Sequence, residues 1–326
     1  MRYVFLIWVL FAVTPSNAAS ADGLNPIRAI LKLPDSQIDL GKAKLVIDKM
    51  IDPNINIKAN LKKIDSMVTD IQMQMLFNAS SADKLQALRG YLYSPNQRNG
   101  HQPYEYDFSD PYGKTISHKL LPNYLVSKKG NCVSMPFLFI ILGQRLGIDV
   151  TAATAPEHIF VKYRDDMGNQ INLETTSGAN PARDVWIRQQ NPMTDEAIAN
   201  GIYLRPLSKK ETVALMIETL IEDYMHKRQY AKAIEASDLV LEYFPKAVDP
   251  MIHKGAAYGR QIRDKYESKY PSPNLIPPEE RADFEYLDRN SLLWYAKAEA
   301  LGWRMPSEVH EAQYKQTVKQ HEHPKQ

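Results

Sequence analysis

Cys132 is the single cysteine of this 326-residue chain, and it lies in the segment GNCVS (residues 130–134), directly before a long apolar run. A thiol that acts as a nucleophile needs a lowered pKa, a base that holds its proton and a group that orients the base. The apolar run predicts a helix that begins at Cys132, where N–H groups and the helix dipole favour the thiolate. The same N–H groups can hold an oxyanion when the thiol attacks a carbonyl. The alternative is an incidental buried thiol, since a lone cysteine forms no internal disulfide.

His158 is the strongest candidate for the base among eight histidines. It begins the apolar run HIFVKY (residues 158–163), which predicts a strand. The alternative is a structural histidine at the start of that strand. The other histidines are weaker candidates. His101 and His118 precede the cysteine, and His226 and His253 fall in helical repeats where they are expected at the surface. The rest lie in a polar tail: His310, His321 and His323.

Glu174 is the candidate that would orient His158. The strand that begins at His158 and the strand predicted over residues 171–176 flank the turn DDMGN (residues 165–169). Asp166 lies halfway between His158 and Glu174 in the sequence, so a simple hairpin places the two side chains opposite or nearly opposite each other. A carboxylate there can accept the second imidazole N–H and fix the tautomer. The alternative is an exposed strand carboxylate.

Helices and an antiparallel sheet are predicted to position these residues. Apolar spacing predicts three helices over residues 36–95: one that Ser36 caps and Asp52-Pro53 ends, one on the stripe from Ile57 to Met75, and one that begins near Ser80-Ser81. Residues 93–115 are rich in turn residues and tyrosine, and either line a cleft or form an ordered surface loop. The cysteine-bearing helix is apolar almost all round and ends at Gly147. A strand over residues 149–155 completes the predicted meander.

The second half of the chain shows a period of thirty-four residues between Ile221 and Gly255. Small residues and a helix-ending Pro245 at fixed offsets are typical of tetratricopeptide repeats. A Pro-rich insertion near residues 266–290 is predicted to be a loop, and a further repeat fragment lies at residues 294–303. Two repeats are too few for independent stability, so this segment is expected to pack on the preceding domain.

The N-terminus predicts export. Arg2 precedes an apolar stretch over residues 3–13, and small residues at Ala18 and Ala21 suit signal-peptide cleavage. The alternative is an uncleaved N-terminal anchor. No second apolar segment is long enough to span a bilayer. We therefore expect a periplasmic or secreted protein without an integral membrane span, divided into a signal peptide (1–21), a first domain (22–204) and a helical domain with a polar tail (205–326).

The composition gives no sign of nucleic acid, metal or cofactor binding. A net charge of +2 provides no electrostatic argument for nucleic acid or an anionic membrane. The histidines and the single cysteine show no metal-ligand spacing. We therefore predict a protein that needs neither a metal nor a cofactor.

Three segments resemble the bacterial transglutaminase-like superfamily: GNCVSM (130–135), EHIFVKY (157–163) and INLETTSG (171–178). The SirB-type branch is most similar, since helices precede its core and tetratricopeptide repeats often follow it. The resemblance covers residues 36–190, and the repeats extend it to 303. It implies an α+β fold, with a cysteine-bearing helix on an antiparallel sheet after N-terminal helices. It also implies a papain-like triad of Cys132, His158 and Glu174, although the family acid is often Asp.

Two functional hypotheses follow. In the first, the protein is an exported thiol-dependent acyl-transfer enzyme, either a cysteine peptidase or amidase or a transglutaminase, that acts on a peptide or protein substrate. Asn131 or Tyr124 is a candidate second oxyanion donor. In the second, the protein is a non-catalytic interaction protein that binds a partner in the groove of its tetratricopeptide-like segment, and the triad is vestigial.

Overall fold

The N-terminal part of the chain is helical. A computed structural model describes residues 23–111 and 113–305, so the predicted signal peptide and most of the polar tail lie outside the described residues. Within those ranges, no helix is both long enough and apolar enough to cross a membrane. The helices that precede Cys132 are α1 Asn25–Leu31, α2 Leu40–Ile51, α3 Ile57–Gln72, α4 Ser81–Tyr93 and α5 Leu121–Ser127.

The three predicted helices of this region are present. The start of the first differs, because the side chain of Asp39, not Ser36, caps α2 by accepting a hydrogen bond from the Lys42 N–H at 3.0 Å. Ser36 lies instead in a short 3-10 turn. The start of α4 follows the prediction, since Ser80 and Asp83 form a reciprocal capping box. The seven-residue α1 was not predicted.

A buried helix lies against a four-stranded antiparallel sheet. This helix, α6 (Ser134–Leu146), is buried on almost every side, and Gly147 ends it in the left-handed conformation at φ 69°, as predicted. Two short strands, β1 (Glu105–Tyr106) and β2 (Lys129–Gly130), pair in parallel just before it. The sheet has the order β3-β4-β5-β6. Its strands are β3 Val150–Ala155, β4 His158–Arg164, β5 Gln170–Glu174 and β6 Asn180–Ala182.

The centre of the β4–β5 hairpin lies one residue after the predicted centre at Asp166. Val161 pairs with Leu173, which places the centre at Met167. The same register puts Glu174 opposite Phe160, two positions from His158. Because side chains two apart on a strand share a face, Glu174 and His158 are diagonal neighbours on one face of the sheet.

The C-terminal part is helical throughout. Two short helices follow the sheet, and from Glu218 onward each long helix packs against the next. The predicted loop over residues 266–290 is wrong beyond residue 277, because Pro278 is the first residue of a long helix. Proline suits a first helical position, where its missing N–H would have no partner anyway. The helices are α7 Asp184–Gln190, α8 Asp195–Ala199, α9 Lys209–Met216, α10 Glu218–His226, α11 Tyr230–Tyr243, α12 Val248–Ile262 and α13 Pro278–Ala300.

One hydrophobic core connects the two halves. This single cluster of buried side chains has members from Leu24 in the first half to Ala257 in the second. Helices α9 and α10 pack on α2, and Lys119 before α5 forms an ion pair with Glu222 of α10. The segment after residue 205 therefore packs on the preceding domain, as expected. The division at residues 204 and 205 stays a prediction, as does the tetratricopeptide architecture.

Candidate active site around Cys132

Short parallel strands and a tight turn present Cys132. Gly130 in β2 accepts a hydrogen bond from the Asp107 N–H at 2.7 Å, which fixes the chain two residues before the thiol. A Cβ on Gly130 would lie 2.6 Å from the ring of Tyr124, so only glycine fits there without displacing that buried ring. Cys132 itself is partly exposed and lies two residues before the first residue of α6.

Asn131 supports the turn from within. Its Oδ1 accepts hydrogen bonds from the N–H groups of Val133 at 3.0 Å and Ser134 at 3.2 Å, and Ser134 Oγ accepts one from the Asn131 N–H at 3.1 Å. Those N–H groups at the helix start are therefore occupied, contrary to the expectation that they would hold an oxyanion. The N–H of Cys132 makes no such bond to any described residue.

The two predicted second oxyanion donors are buried. Neither the Tyr124 hydroxyl nor the Asn131 Nδ2 is accessible to solvent, and neither has a hydrogen-bond partner among the described residues. The Asn131 amide nitrogen instead lies close to the backbone of Gly113. As placed here, neither group is open to a substrate that enters from solvent.

His158 lies between the thiol and the carboxylate. Glu157, which precedes it, adopts a left-handed backbone conformation at φ 56°, and the Cys132 Sγ lies 3.9 Å from the Glu157 carbonyl oxygen. The ring of His158 stacks on Phe160. Its Nε2 is 2.7 Å from Glu174 Oε2, so the predicted contact of these two side chains is present. This contact leaves Nδ1 as the ring nitrogen available to the thiol.

Glu174 is buried at the end of β5 and is held on both oxygens. While Oε2 faces His158, Oε1 accepts hydrogen bonds from the Thr176 N–H at 3.1 Å and the Thr176 hydroxyl at 2.6 Å. Burial raises the pKa of this carboxyl, but the charge and hydrogen bond of His158 and the bonds from Thr176 together hold the pKa below its ordinary value. Glu174 is therefore a fixed negative charge beside the imidazole.

The electrostatics of the site favour a charged imidazole. Burial lowers the pKa of His158, but the Glu174 carboxylate and a side-chain hydrogen bond with Cys132 outweigh burial and raise this pKa to about 10. At neutral pH the ring is therefore an imidazolium between a carboxylate and a sulfur. This arrangement places a proton donor beside the sulfur, from which a leaving group could take a proton.

A comparison with protein families matches residues 58–220 to the transglutaminase-like superfamily, a match that spans half of the chain and encloses Cys132, His158 and Glu174. The chain belongs to the transglutaminase-like superfamily. Its relatives include a UPF0162 protein of Xylella fastidiosa strain 9a5c, 22% identical over 208 residues, which are 59% of this chain and 70% of that protein. The UPF0162 protein of strain Temecula1 (ATCC 700964) is 21% identical over 182 residues, which are 54% of this chain and 61% of the relative.

Among solved structures, the crystal structure of menin, which reveals the binding site for the Mixed Lineage Leukemia (MLL) protein, covers 91% of this chain and 74% of the menin chain. The sequence identity is 14% and the TM-score is 0.44. At that score the likeness supports no inference about this member of the transglutaminase-like superfamily.

Sequence reasoning missed two residues of this superfamily member that the site depends on. Thr176 supplies two hydrogen bonds to Glu174. A threonine two positions after an acidic residue could have indicated this role, because its N–H and its hydroxyl can both donate to the carboxylate. Glu157 supplies the backbone carbonyl beside the thiol. Its left-handed backbone conformation could not be predicted from the sequence, because glutamate does not favour that conformation. Of the weaker histidine candidates, His118 lies against Asp107 and Asp110, and His253, expected at the surface, is partly buried against Glu218.

Proposed function

We propose that this protein is an exported thiol-dependent acyl-transfer enzyme, a cysteine peptidase or amidase or a transglutaminase. Cys132 is the nucleophile, His158 the acid and base, and Glu174 the residue that positions His158. The observation that carries the proposal is the 2.7 Å contact between His158 Nε2 and the buried Glu174, combined with the position of Cys132 near the same ring, where it contributes to the raised pKa of His158. A thiol, an imidazole and a carboxylate in series are what acyl transfer by cysteine requires.

The first half of the reaction forms a thioester. The Cys132 sulfur attacks the carbonyl carbon of a peptide or carboxamide, a carbon–sulfur bond forms, and the carbonyl oxygen becomes an oxyanion. The N–H of Cys132, which donates to no described residue, is the backbone donor that we assign to that oxyanion. The oxyanion then collapses, the carbon–nitrogen bond breaks, and the His158 imidazolium gives its proton to the leaving amine.

The second half releases the acyl group. Neutral His158 takes a proton from water or from an amine as that molecule attacks the thioester carbonyl. The carbon–sulfur bond breaks, and the product is an acid in hydrolysis or a new amide in amine transfer. Glu174 stays charged throughout and keeps the ring oriented and the imidazolium stabilised.

The location belongs to the same proposal. The positive charge, the apolar stretch and the small residues of the first twenty-one positions support export to the periplasm or beyond. Membership of the SirB-type branch and a tetratricopeptide architecture of residues 205–303 are also proposed, on the thirty-four-residue period and the helical C-terminal segment.

A groove in the C-terminal helices supports the second hypothesis, a protein-interaction role. A cleft of about 790 Å³ lies between α12 and α13. Aromatic side chains, among them Tyr266, Tyr270, Phe284 and Tyr295, line it together with Arg260. Aromatic residues and arginine are common at interfaces, so this cleft is where a partner peptide would bind.

Alkylation of Cys132 with iodoacetamide tests the enzyme proposal, because the chain has one cysteine. A free thiol is mostly protonated at pH 6, so its alkylation rate falls roughly a hundredfold between pH 8 and pH 6. A thiolate paired with the His158 imidazolium should lose less than roughly tenfold over the same interval. The rate is followed by intact mass.

Two variants complete this test. We expect His158→Ala to restore the steep pH dependence of a free thiol, whereas His101→Ala, a change at an exposed histidine, should leave the wild-type profile. Cys132→Ala should abolish both the labelling and any acyl transfer to hydroxylamine or water. A wild-type profile as steep as that of free cysteine would contradict the enzyme proposal and favour the interaction protein.

A further inference from the structure

Glu174 has a basic side chain diagonally across from it in both directions along β4. His158, Phe160 and Lys162 are each two positions apart on this strand, so their side chains share one face of the sheet. The register of β4 and β5 places Glu174 opposite Phe160, which makes both His158 and Lys162 its diagonal neighbours. Long side chains reach across such a diagonal. The backbone register alone therefore does not decide which of the two basic groups pairs with the carboxylate.

The two basic groups have different partners. His158 Nε2 lies 2.7 Å from Glu174 Oε2, whereas Lys162 Nζ donates to Asn172 Oδ1 at 2.7 Å. Asn172 is directly opposite Lys162 on β5 and is buried. Among the described residues, no hydrogen bond or ion pair joins Lys162 to Glu174. The Lys162 side chain is 8% exposed, so its ammonium depends on a partner within the protein, and Asn172 is that partner.

Asn172 is itself fixed by the next two elements of the chain. Its Nδ2 donates to Asp184 Oδ1 at 2.6 Å, at the start of α7, and to the Ala182 carbonyl at 3.1 Å, on β6. Because both bonds need the amide N–H groups, they orient Oδ1 towards Lys162. Asp184 lies 3.9 Å from the ammonium and is 58% exposed, so it is a weak partner on its own. Burial lowers the pKa of Lys162 although the Asp184 charge opposes this, so the ammonium is incompletely compensated.

An aromatic ring separates the imidazole from the ammonium. Phe160 is fully buried and follows His158 on the shared face, where the two rings stack with their centroids 6.5 Å apart and their planes at 12°. Lys162 Nζ lies 5.7 Å from the centroid of the same Phe160 ring, a favourable contact for a cation. Ala153 and Ile187 pack with Phe160 in one buried cluster. The ring is therefore held in place between the two basic groups.

We propose that Asn172 is a positioning residue of the active site, which holds the Lys162 ammonium away from Glu174. The carboxylate is thereby left to His158. Without the amide, the nearly buried ammonium would keep only the exposed Asp184, and Glu174 lies within its reach across the diagonal. An ammonium bound to Glu174 would offset the negative charge that keeps the imidazole protonated. This inference rests on the proposed function, because it assigns a residue that serves the proposed acid and base.

Alkylation of Cys132 by iodoacetamide in the Asn172→Ala variant tests this role. The substitution frees Lys162 to pair with Glu174, which weakens the hold of the carboxylate on the imidazole proton. We therefore expect the loss of rate between pH 8 and pH 6 to rise from less than roughly tenfold towards the roughly hundredfold loss of a free thiol. Asn172→Val, whose side chain suits a strand, is a second variant with the same expectation. Far-ultraviolet circular dichroism shows whether each variant is folded.

A second substitution separates this role from structural damage. In Asn172→Ala combined with Lys162→Met, the competing ammonium is gone and an apolar side chain takes its place, so the flat wild-type profile should return. A purely structural role of Asn172 predicts instead that the double variant is perturbed at least as much as the single one. Asn99→Ala is the matched control. Asn99 is also buried and its Nδ2 also donates twice, but it lies in the turn after α4, so the profile should stay as in wild type.

The titration of His158 gives a readout that does not depend on the thiol. Nuclear magnetic resonance of protein labelled with nitrogen-15 histidine follows this titration, and the spectrum of His158→Ala assigns the signal. The pKa of about 10 in the wild type should fall towards the ordinary value in Asn172→Ala. It should return to the wild-type value in the double variant with Lys162→Met.

The outcomes separate the two proposals. A flat alkylation profile and an unchanged His158 titration in both Asn172 variants would overturn the positioning role and leave the enzyme proposal standing. A steep wild-type profile, with a His158 titration that shifts in Asn172→Ala and is restored by Lys162→Met, would support the positioning role and count against the reactive thiol. A double variant that stays as perturbed as Asn172→Ala would also overturn the role, because Lys162 would then not be the competitor for Glu174.

Discussion

At His158, burial and charge act on one imidazole in opposite directions, and charge prevails. Its pKa is raised from 6.5 to about 10, whereas that of Glu174 is lowered from 4.5. A raised histidine pKa contributes stability that is complete below pH 6.5 and is lost as the pH rises through about 10. A lowered glutamate pKa contributes stability that is present above pH 4.5 and is lost in acid. Both contributions are therefore complete between pH 4.5 and 6.5.

The Glu174→Gln variant tests this pairing. The glutamine keeps a hydrogen-bond acceptor for His158 but removes the charge that raises the histidine pKa. Removing one partner of a buried charge pair costs about 3–5 kcal/mol, so we expect a loss of that size in the free energy of unfolding near pH 6. The difference from wild type should narrow by pH 10, because the stability that the charged His158 contributes falls as the pH rises towards its pKa of about 10. Urea unfolding at the two pH values measures it.

The matched control for this prediction is Glu105→Gln, which removes a carboxylate that is 59% exposed and 3.8 Å from Lys129. Exposed pairs of this kind contribute about 0–1 kcal/mol, so its effect should be small at both pH values. An equal loss for Glu174→Gln at pH 6 and pH 10 would contradict the assignment of the raised pKa to the carboxylate.

At the scale of elements, the contact of α6 with β3 fixes the cysteine-bearing turn relative to His158. Gly143 of α6 makes this contact close, because a Cβ there would lie 2.3 Å from Val150 Cγ2. Val150 is buried and its branched side chain is stiff, so it cannot move aside without displacing the strand. The close approach of α6 to the sheet therefore depends on the absence of a side chain at residue 143.

We therefore expect Gly143→Ala to destabilise the fold. Overpacking a core costs about 1–3 kcal/mol, and the gain in helix propensity of about 0.5–1 kcal/mol offsets part of it, which leaves a net loss of about 1–2 kcal/mol. Gly90→Ala in α4 is the control, since a Cβ there meets no atom within 4 Å. It should stabilise by about 0.5–1 kcal/mol. Thermal unfolding compares the two, and a stabilised Gly143→Ala would show that α6 can move.

The elements that a local signal defines could be predicted from the sequence. Ser80 with Asp83 is a capping box and marks the start of α4 correctly. Pro278 was wrongly assigned to a loop. A proline at the first position of a helix cannot be told from a helix-breaking proline in a loop unless the following residues show a clear helical pattern. The β4–β5 register differed by one residue, because the turn over residues 165–169 is centred on Met167 and not on Asp166. Glu174 still reaches His158, because the side chain spans the diagonal.

The contact of His253 with Glu218 could not be predicted in this way. The two residues lie on α12 and α10, thirty-five positions apart, and each taken alone resembles a solvated surface group. Their contact depends on how α10 and α12 pack, which no local spacing encodes. The pairing of His158 with Glu174 could be anticipated, because both lie in segments that resemble one family.

At the scale of the whole molecule, the two predicted domains share one interior. Val213 and Met216 of α9 and Leu220 of α10 are fully buried, and these helices cover α2. The segment before α9 also extends the sheet, since the Leu207 N–H donates to the Ala152 carbonyl at 2.8 Å. Residues after the predicted boundary at 204 thus complete both the helical core and the edge of β3.

A chain that ends at residue 204 should therefore fail to fold cooperatively, although the boundary was placed there on the sequence. It would expose the apolar face of α2 and remove the Leu207–Ala152 hydrogen bond at the β3 edge. Exposed apolar area of this kind costs about 25 cal/mol per Å². Binding of a hydrophobic dye and loss of a sharp urea transition measure this. A chain that ends at residue 305 retains every contact described above and is the control for this truncation. If the shorter chain gave a sharp transition and kept the flat pH profile of Cys132 alkylation, the first 204 residues would be an independent domain.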